Sequence, residues 1–586
     1  MRSIINNCFS TILILLIVLE FFLLIGVCAP IYSQWSNDPG INTAICTSPN
    51  DQLHPVIASD GAGGAIIAWH DWRSGIPNLY AQRISASGMV QWPENGIRLC
   101  LRESNQAHAT IISDDDGGAI ITWHDQRASG VDIYGQRISA AGELLWQTDG
   151  VAICSATEVQ EYPNIISDGA GGAIIAWVDK RSGSNVDIYT QRINSVGEVQ
   201  WNADGVALCD TSGNQWTPVM ANDGTGSAIF AWYDQRGDDF DIFAQRIDSS
   251  GNIKWEANGI AICTVSGDQK VPSIISDKLG GAIIVWEDNR NGYYDIYAQR
   301  IDVSGIIQWE NNGISICGKI GNQTRPVITS DSRGNAIIAW QDGRNGEVDI
   351  YAQRVNTSGE TKWSANGIAI CSAENSQNWS SGYRYINPIV NDCQGGAIIT
   401  WADNRDGFYY DIYAQYIDSL GAVRWTTDGV AISTAWGHQT HPAIASDDVG
   451  NAIIVWEDNR SGNNIDIYAQ RVEAKGQLSP VRIVNTNVVP TDYILEQNYP
   501  NPFNASTTIS CQVAQLAHVK IKIYNVSGKE IKTIVNEYKQ AGYFISQWDG
   551  SDELDKMVSS GIYFCKMEIS VKNQHIVQTQ KMIYLK

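Results

Sequence analysis

A tryptophan returning at nearly constant spacing constrains this chain more than any other feature of its sequence. Trp69, Trp123, Trp177, Trp232, Trp286, Trp340, Trp401 and Trp456 follow one another at intervals of 54, 54, 55, 54, 54, 61 and 55 residues. Each stands in a copy of one unit, represented by residues 273–317, SIISDKLGGAIIVWEDNRNGYYDIYAQRIDVSGIIQWENNGISIC. Such a period marks one supersecondary unit used eight times, and it has to be read before any single residue.

Turn signals divide the unit into apolar runs of strand length: Pro272 to Ser276, Ala282 to Trp286, Asp295 to Ile301, and Ile314 to Cys317. Between them lie Gly280-Gly281, the loop Asp288 to Gly292, and Ser304-Gly305. The second run is apolar on both faces, as in a strand covered by other sheets on both sides. Four strands per copy without a helical pattern predict an all-β chain built as an eight-bladed β-propeller, with a β-solenoid as the alternative.

Both ends of the array look incomplete in a way that suggests how it closes. Residues 35–46 match the closing piece of a repeat, as in 92–100, but lack the strands before it. The eighth copy ends on a degenerate closing piece, Leu478 to Val484. The N-terminal strand is therefore expected to complete the last sheet, removing two exposed edges. Ahead of it, Met1-Arg2, an apolar run from Ile12 to Val27 interrupted by Glu20, and small residues up to Ser33 read as a secretory signal peptide over 1–33. Cys28 suggests lipidation, but Val27 occupies a position where that signal usually has a small residue. The propeller is assigned 34–485 and a linker 486–492.

A formal net charge of −23 argues against nucleic acid as a partner. Seven cysteines, at 46, 100, 154, 209, 263, 317 and 371, share one repeat position, which Ser433 takes in the eighth copy. Stacked sheets lie about 10 Å apart, beyond the ~7 Å between Cα atoms that a disulfide spans, so these are expected to be buried thiols. An Asp-x-Arg pair follows every repeated tryptophan, from Asp71/Arg73 to Asp458/Arg460. Eight equal carboxylates are the opposite of an active site, which needs a few set apart by different environments. They read as braces for the hairpins. Calcium or another divalent metal is the alternative, although the spacing matches no standard calcium loop. Sixteen of the twenty-one tryptophans fall at the two repeat positions, leaving Trp72, Trp216, Trp379, Trp436 and Trp548.

A localised function belongs where the symmetry breaks. One break is a longer entry loop in the seventh copy, Ser372 to Asn387, carrying Trp379, Tyr383, Arg384 and Tyr385. The other is histidine: His54, His108, His438 and His441 in entry segments, and His70 and His124 at adjacent exits. Copies seven, eight, one and two become neighbours when a ring closes, so these residues are expected on one sector of one face. The plain reading is that these histidines fill polar loop positions without a role; the sharper one is a ligand site, for a glycan stacking on Trp379 and Tyr383, with Tyr385 nearby, or for a metal held through His54, His108 and His441.

After Asn485 the pattern changes to a domain over 493–586 with short strands at Thr508 to Val513, Val519 to Tyr524, Glu530 to Val535, Tyr543 to Trp548, Gly561 to Ile569 and Gln574 to Leu585. This predicts a small antiparallel Ig-like β-sandwich, with Cys511 and Cys565 as buried thiols. Its residues Leu495, Asn498, Pro500, Asn501, Pro502, Phe503 and Asn504, then Gly528, Gly542, Trp548-Asp549-Gly550, Gly561, Tyr563 and Lys581, resemble the type A C-terminal sorting domain of bacterial type IX secretion substrates. Ala505 departs from that pattern, where the family usually has Pro. The resemblance implies passage through the periplasm, recognition by the type IX outer-membrane machinery, and release or attachment at the cell surface, with no transmembrane segment in the mature chain. It brings no catalytic residue. For the propeller itself the sequence leaves two classes: a binding or adhesion module for a glycan or protein, favoured by the likeness of the copies, and a polysaccharide hydrolase or lyase, which needs a unique cluster of acids or histidines.

Overall fold

The computed structural model describes residues 35–478 apart from 128–129 and 380–386, and in the C-terminal part 493–495, 498, 507–540, 542–554, 556–571 and 574–585. The signal peptide and linker read from the sequence lie outside the described residues. The chain divides into two compact units, Met1–Ile483 and Val484–Lys586. No helix among the described residues is long and apolar enough to cross a membrane.

In the first unit the described strands form eight antiparallel sheets, numbered here 1 to 8 in chain order. Sheet 5 runs Gln269–Ser276, Ala282–Asp288, Asp295–Ile301 and Ile314–Cys317, in that spatial order. The first strand of each sheet packs against that of the next, and that of sheet 8 against that of sheet 1, so the sheets form a propeller-like ring lined by first strands. Sheet 8 (Gln439–Ser446, Ala452–Asp458, Asp466–Val472) takes its outer strand from the other end of the chain, Thr43–Cys46, which pairs antiparallel with Asp466–Val472. The expected tie is thus made, and Asn42 seals it. Its Nδ2 donates to Ile432 O at 2.8 Å, and its Oδ1 accepts from Ser433 Oγ and from Arg460 Nη2, both at 2.8 Å.

The repeated residues hold the sheets together. Each second strand is buried over most of its length and carries the repeated tryptophan, fully inaccessible in all eight sheets. Its Nε1 donates to the Asp two residues on at 2.7–2.9 Å. The following Arg forms an ion pair with that Asp in every copy and lies 3.5–3.8 Å over an aromatic ring of the third strand. The guanidinium also reaches the Cys Sγ of the preceding sheet, as Arg181 does to Cys154 at 3.2 Å. In sheet 8 Arg460 meets Ser433 Oγ instead, at 3.3 Å. The Asp-x-Arg pair therefore braces sheet to sheet, a wider role than the hairpin brace the sequence suggested. A buried carboxylate matched by a planar fork holds geometry well, and losing either partner strands a charge.

The seven aligned cysteines are free and buried, and burial pushes Cys154, Cys209, Cys263 and Cys317 up to about 12, well away from reactive thiolates. The second tryptophan series links neighbours as well: Trp92 Nε1 donates to Ala140 O of sheet 2 at 3.1 Å, and Trp35 Nε1 to Ala86 O of sheet 1 at 2.9 Å.

The second unit has two sheets, one ordered Ile494–Leu495, Thr507–Val513, Gly542–Trp548, the other Glu530–Lys539, Ala517–Asn525, Gly561–Val571, Gln574–Tyr584. Their shared core includes Leu495, Val519, Ile523, Trp548, Tyr563 and Tyr584. Cys511 and Cys565 lie in it as free thiols.

Candidate functional site

In seven of the eight sheets the first strand begins with a register break, and the break makes the site. In sheet 1 it falls between Leu53 and Val56, and the residue inside it, His54, has φ of 55°. His108, Tyr162, Thr217, Val271, Arg325 and His441 occupy the same place in sheets 2 to 6 and 8, with φ between 50° and 57°. Left-handed backbone is costly for any side chain, and most of all for β-branched Thr217 and Val271. Its recurrence whatever the residue shows that the ring imposes it.

A second set of positions meets these bulges. The residue after the repeated tryptophan meets the bulge of the next sheet at His70, His124, Glu287 and Glu457. Glu457 accepts the backbone N–H of His54 at 2.8 Å, Glu287 that of Arg325 at 2.5 Å, and His70 Nε2 that of Ala109 at 3.4 Å. Within an otherwise repeated frame the bulge series reads His, His, Tyr, Thr, Val, Arg, Trp, His, and the other series His, His, Val, Tyr, Glu, Gln, Ala, Glu. The copies differ here in chemistry, around the mouth of the ring.

Sheets 8, 1 and 2 fill this mouth with an arc of imidazoles, which Tyr162 of sheet 3 ends. Glu457, 3% exposed, is flanked by His441 Nδ1 at 2.9 Å and His54 Nδ1 at 3.2 Å. Burial alone would raise its pKa, but hydrogen bonds from the two histidines outweigh burial and hold it at about 2. The His54 ring stands edge-on to His70 and His441, with centroids 5.2 and 5.9 Å away. His108 continues the arc, packing on His124 at 4.7 Å and Tyr162 at 4.5 Å. Burial, then the neighbouring imidazoles, push His70 well below its usual range and His124 down to about 3, so both are neutral at physiological pH. A carboxylate meeting two histidines at Nδ1 fixes the orientation of their rings, an arrangement suited to proton transfer and to ligand hydrogen bonds.

Sequence reasoning brought His54, His70, His108, His124 and His441 to one sector, and the structure places them there. Three expectations need correction. His438 stands apart from the arc. Its Nδ1 accepts the Tyr410 N–H at 3.2 Å, replacing the side-chain oxygen of Asn214, Asp268 or Asn322 at equivalent sheet junctions. His54, His108 and His441 do not form a metal centre, because no group of three or more His, Cys, Asp or Glu side chains among the described residues is arranged to hold a metal ion. Trp379 offers no face to a glycan: it is 3% exposed, in a core with Ile389 and Trp401. Its burial follows from a misplaced boundary. The strand has already begun at Gln377, paired with Asp403, and resumes at Ile389. Residues 380–386 between these two pieces lie outside the described residues. Tyr383 and Tyr385 lie outside the described residues.

Glu457, Glu287 and Tyr162 were missed because each occupies a slot that reads as ordinary strand in any single copy. Aligning the copies column by column would have found them. Glu287, also buried, takes the opposite course from Glu457: burial raises it to about 7.

Among the residues resembling a sorting motif, those described are structural. Trp548 Nε1 donates to Ser551 O at 2.8 Å, and Asn498 Nδ2 to Thr507 Oγ1 at 2.8 Å. Tyr563 packs on Trp548 with centroids 5.1 Å apart, and Gly550 leaves room for Tyr584. Asp549 accepts Ser551 N–H, and Gly528 turns the chain at φ 77°. Leu495 is buried in the core, Gly542 and Gly561 open strands, and Lys581 is exposed on the last strand. Pro500, Asn501, Pro502, Phe503 and Asn504 lie outside the described residues.

Residues 500–572 match the FlgD Ig-like domain. No curated protein matches the chain in sequence. Similar solved structures include an α-L-arabinanase of Penicillium chrysogenum complexed with arabinobiose, 13% identical over 53% of this chain and 97% of that one, TM-score 0.31. An endo-arabinase from Bacteroides thetaiotaomicron is 13% identical over 49% and 100%, TM-score 0.26. The polysaccharide lyase Uly1 is 8% identical over 66% and 94%, TM-score 0.39. At these values the likeness carries neither residue roles nor an activity to this chain.

Proposed function

We propose that the first unit is a closed eight-bladed β-propeller acting on an extracellular polysaccharide, as a hydrolase or lyase, at the histidine arc. The observation that carries this reading is Glu457 between His54 and His441: a buried carboxylate set between two partly exposed imidazoles, a pairing not repeated in the other described sheets, at the mouth of a ring whose frame is otherwise repeated. In this reading His54 and His441 move protons, Glu457 positions them, and neutral His70 and His124 keep the neighbouring wall of the arc uncharged. The test is a glycan array combined with assays for new reducing ends and for unsaturated chain ends. Turnover lost at least a hundredfold in His54→Ala or His441→Ala supports the reading; unchanged turnover removes it.

A second reading, a binding or adhesion module, is favoured by the near identity of the copies away from the arc. Binding on the array without new chain ends selects it. In either case we propose a secreted or cell-surface destination, reached by signal peptide and then the type IX outer-membrane machinery through residues 493–586. Export abolished on removing 493–586, with accumulation in the periplasm, is the expected result.

A further inference from the structure

Three loops of sheets 7 and 8 meet outside the arc and expose rings that a folded domain has no internal reason to expose. Trp436, in the segment leading into sheet 8, is 63% exposed, and Phe408, between the second and third strands of sheet 7, is 80% exposed. Trp436 is held by its surroundings. Tyr409 lies against it with centroids 5.8 Å apart, and Gly462 sits behind the ring, so close that a Cβ there would come within 3.1 Å. Tyr409 in turn stands edge-on to His438 at 5.3 Å, and Asp406 fixes the loop by accepting the N–H groups of Phe408 and Tyr409. Because His438 Nδ1 accepts the Tyr410 N–H, its proton is on Nε2, an exposed donor beside the rings. The positions equivalent to Trp436 hold Pro49, Glu103, Thr157, Ser212, Ser266, Ile320 and Glu374, so the ring is no part of the repeated frame.

We infer that Trp436, Tyr409 and Phe408 form a stacking platform for an uncharged polysaccharide, guiding the polymer from the rim towards the histidine arc. Pre-set aromatic rings beside hydrogen-bonding groups suit sugar rings, which offer C–H faces and hydroxyl edges. Charge selects the kind of polymer. Asp406 is exposed within the platform, and Asp411 is raised to about 7 by burial and then by the like charges of Asp406 and Asp403. A polyanion would meet this acid cluster on a chain of net charge −23. Three rings broken by Asp406 and His438 are also a poor match for the broad apolar core of a protein interface. Continuity supplies the path: Trp436 and His441 belong to one segment, with only four residues between them.

This inference rests on the polysaccharide reading, and its test separates the two. Wild type, Trp436→Ala, Trp436→Phe and His441→Ala are compared by affinity electrophoresis in soluble β-glucan, xylan and arabinan, with alginate as the charged control. Retardation by a neutral polymer, at least tenfold weaker in Trp436→Ala and within threefold of wild type in Trp436→Phe, is expected; His441→Ala should lose turnover while keeping retardation. Retardation dependent on Trp436 in a protein without turnover leaves the platform standing and removes the enzyme. Turnover and retardation unaffected by Trp436→Ala, no retardation by any neutral polymer, or equal retardation by alginate overturns the platform.

Discussion

At the scale of single residues, the two buried glutamates show how position alone sets behaviour. Glu457 and Glu287 occupy the same slot after the repeated tryptophan. One faces two histidines and ionises easily; the other faces a backbone N–H at the Arg325 bulge and stays protonated until about pH 7. The signs of their linkage to stability are opposite. Glu457 has a depressed folded value, so its contribution is present above about pH 4.5 and is lost as pH falls towards 2. Melting curves of wild type should drop over that window, and Glu457→Gln should flatten the drop while lowering Tm at pH 7. Glu287 has a raised folded value, so stability is complete below about pH 4.5 and declines as pH rises through 7. Glu287→Gln should therefore raise Tm at pH 8, by a gain on the order of 2 kcal/mol, and leave it unchanged at pH 4. The sequence displayed both residues but hid their difference, because what distinguishes them is the bulge of the next sheet, some forty residues on in one case and at the other end of the chain in the other.

At the scale of elements, the strands were legible almost to the residue, since turn glycines and buried runs mark them locally. Asp295–Ile301 and Ile314–Cys317 have the bounds read from the sequence, while Gln269–Ser276 starts three residues earlier than expected. The added residues contain the bulge, a conformation no local propensity favours, and the same early start in sheet 7 places Gln377 and Asn378 in a strand where the sequence suggested a loop. Contacts between elements explain the turn glycines. At Gly142, φ is 86°, and a Cβ would lie 2.5 Å from Ile97 Cδ1 and 3.0 Å from the Trp92 ring of the previous sheet. Gly142→Ala should cost about 2–4 kcal/mol, combining overpacking with left-handed strain, read as a lowered denaturation midpoint. Trp286→Phe should cost a similar ~2–4 kcal/mol, because it opens a void and removes a donor from fully buried Asp288; circular dichroism melts would show it.

At the scale of the whole molecule, closure is the decisive event. Thr43–Cys46 completes sheet 8, and the Glu457–His54 contact crosses the same seam between sheets 8 and 1. Deleting residues 36–46 should leave sheet 8 with the unprotected edge of Asp466–Val472, enlarge the hydrodynamic radius, and abolish whatever the histidine arc does even though no arc residue is removed. A sequential, multi-step melt in place of one transition would accompany it. By itself the sequence determined the unit, its number, its strands, the change of domain near 485 and the sector holding the histidines, since all of these follow from periodicity and turn chemistry along the chain. Only the tertiary structure decided which carboxylate the histidines share, that Trp379 is core, and that Trp436 stands exposed. Those facts depend on what the neighbouring sheet presents, a residue distant along the chain, or at its other end where the ring closes.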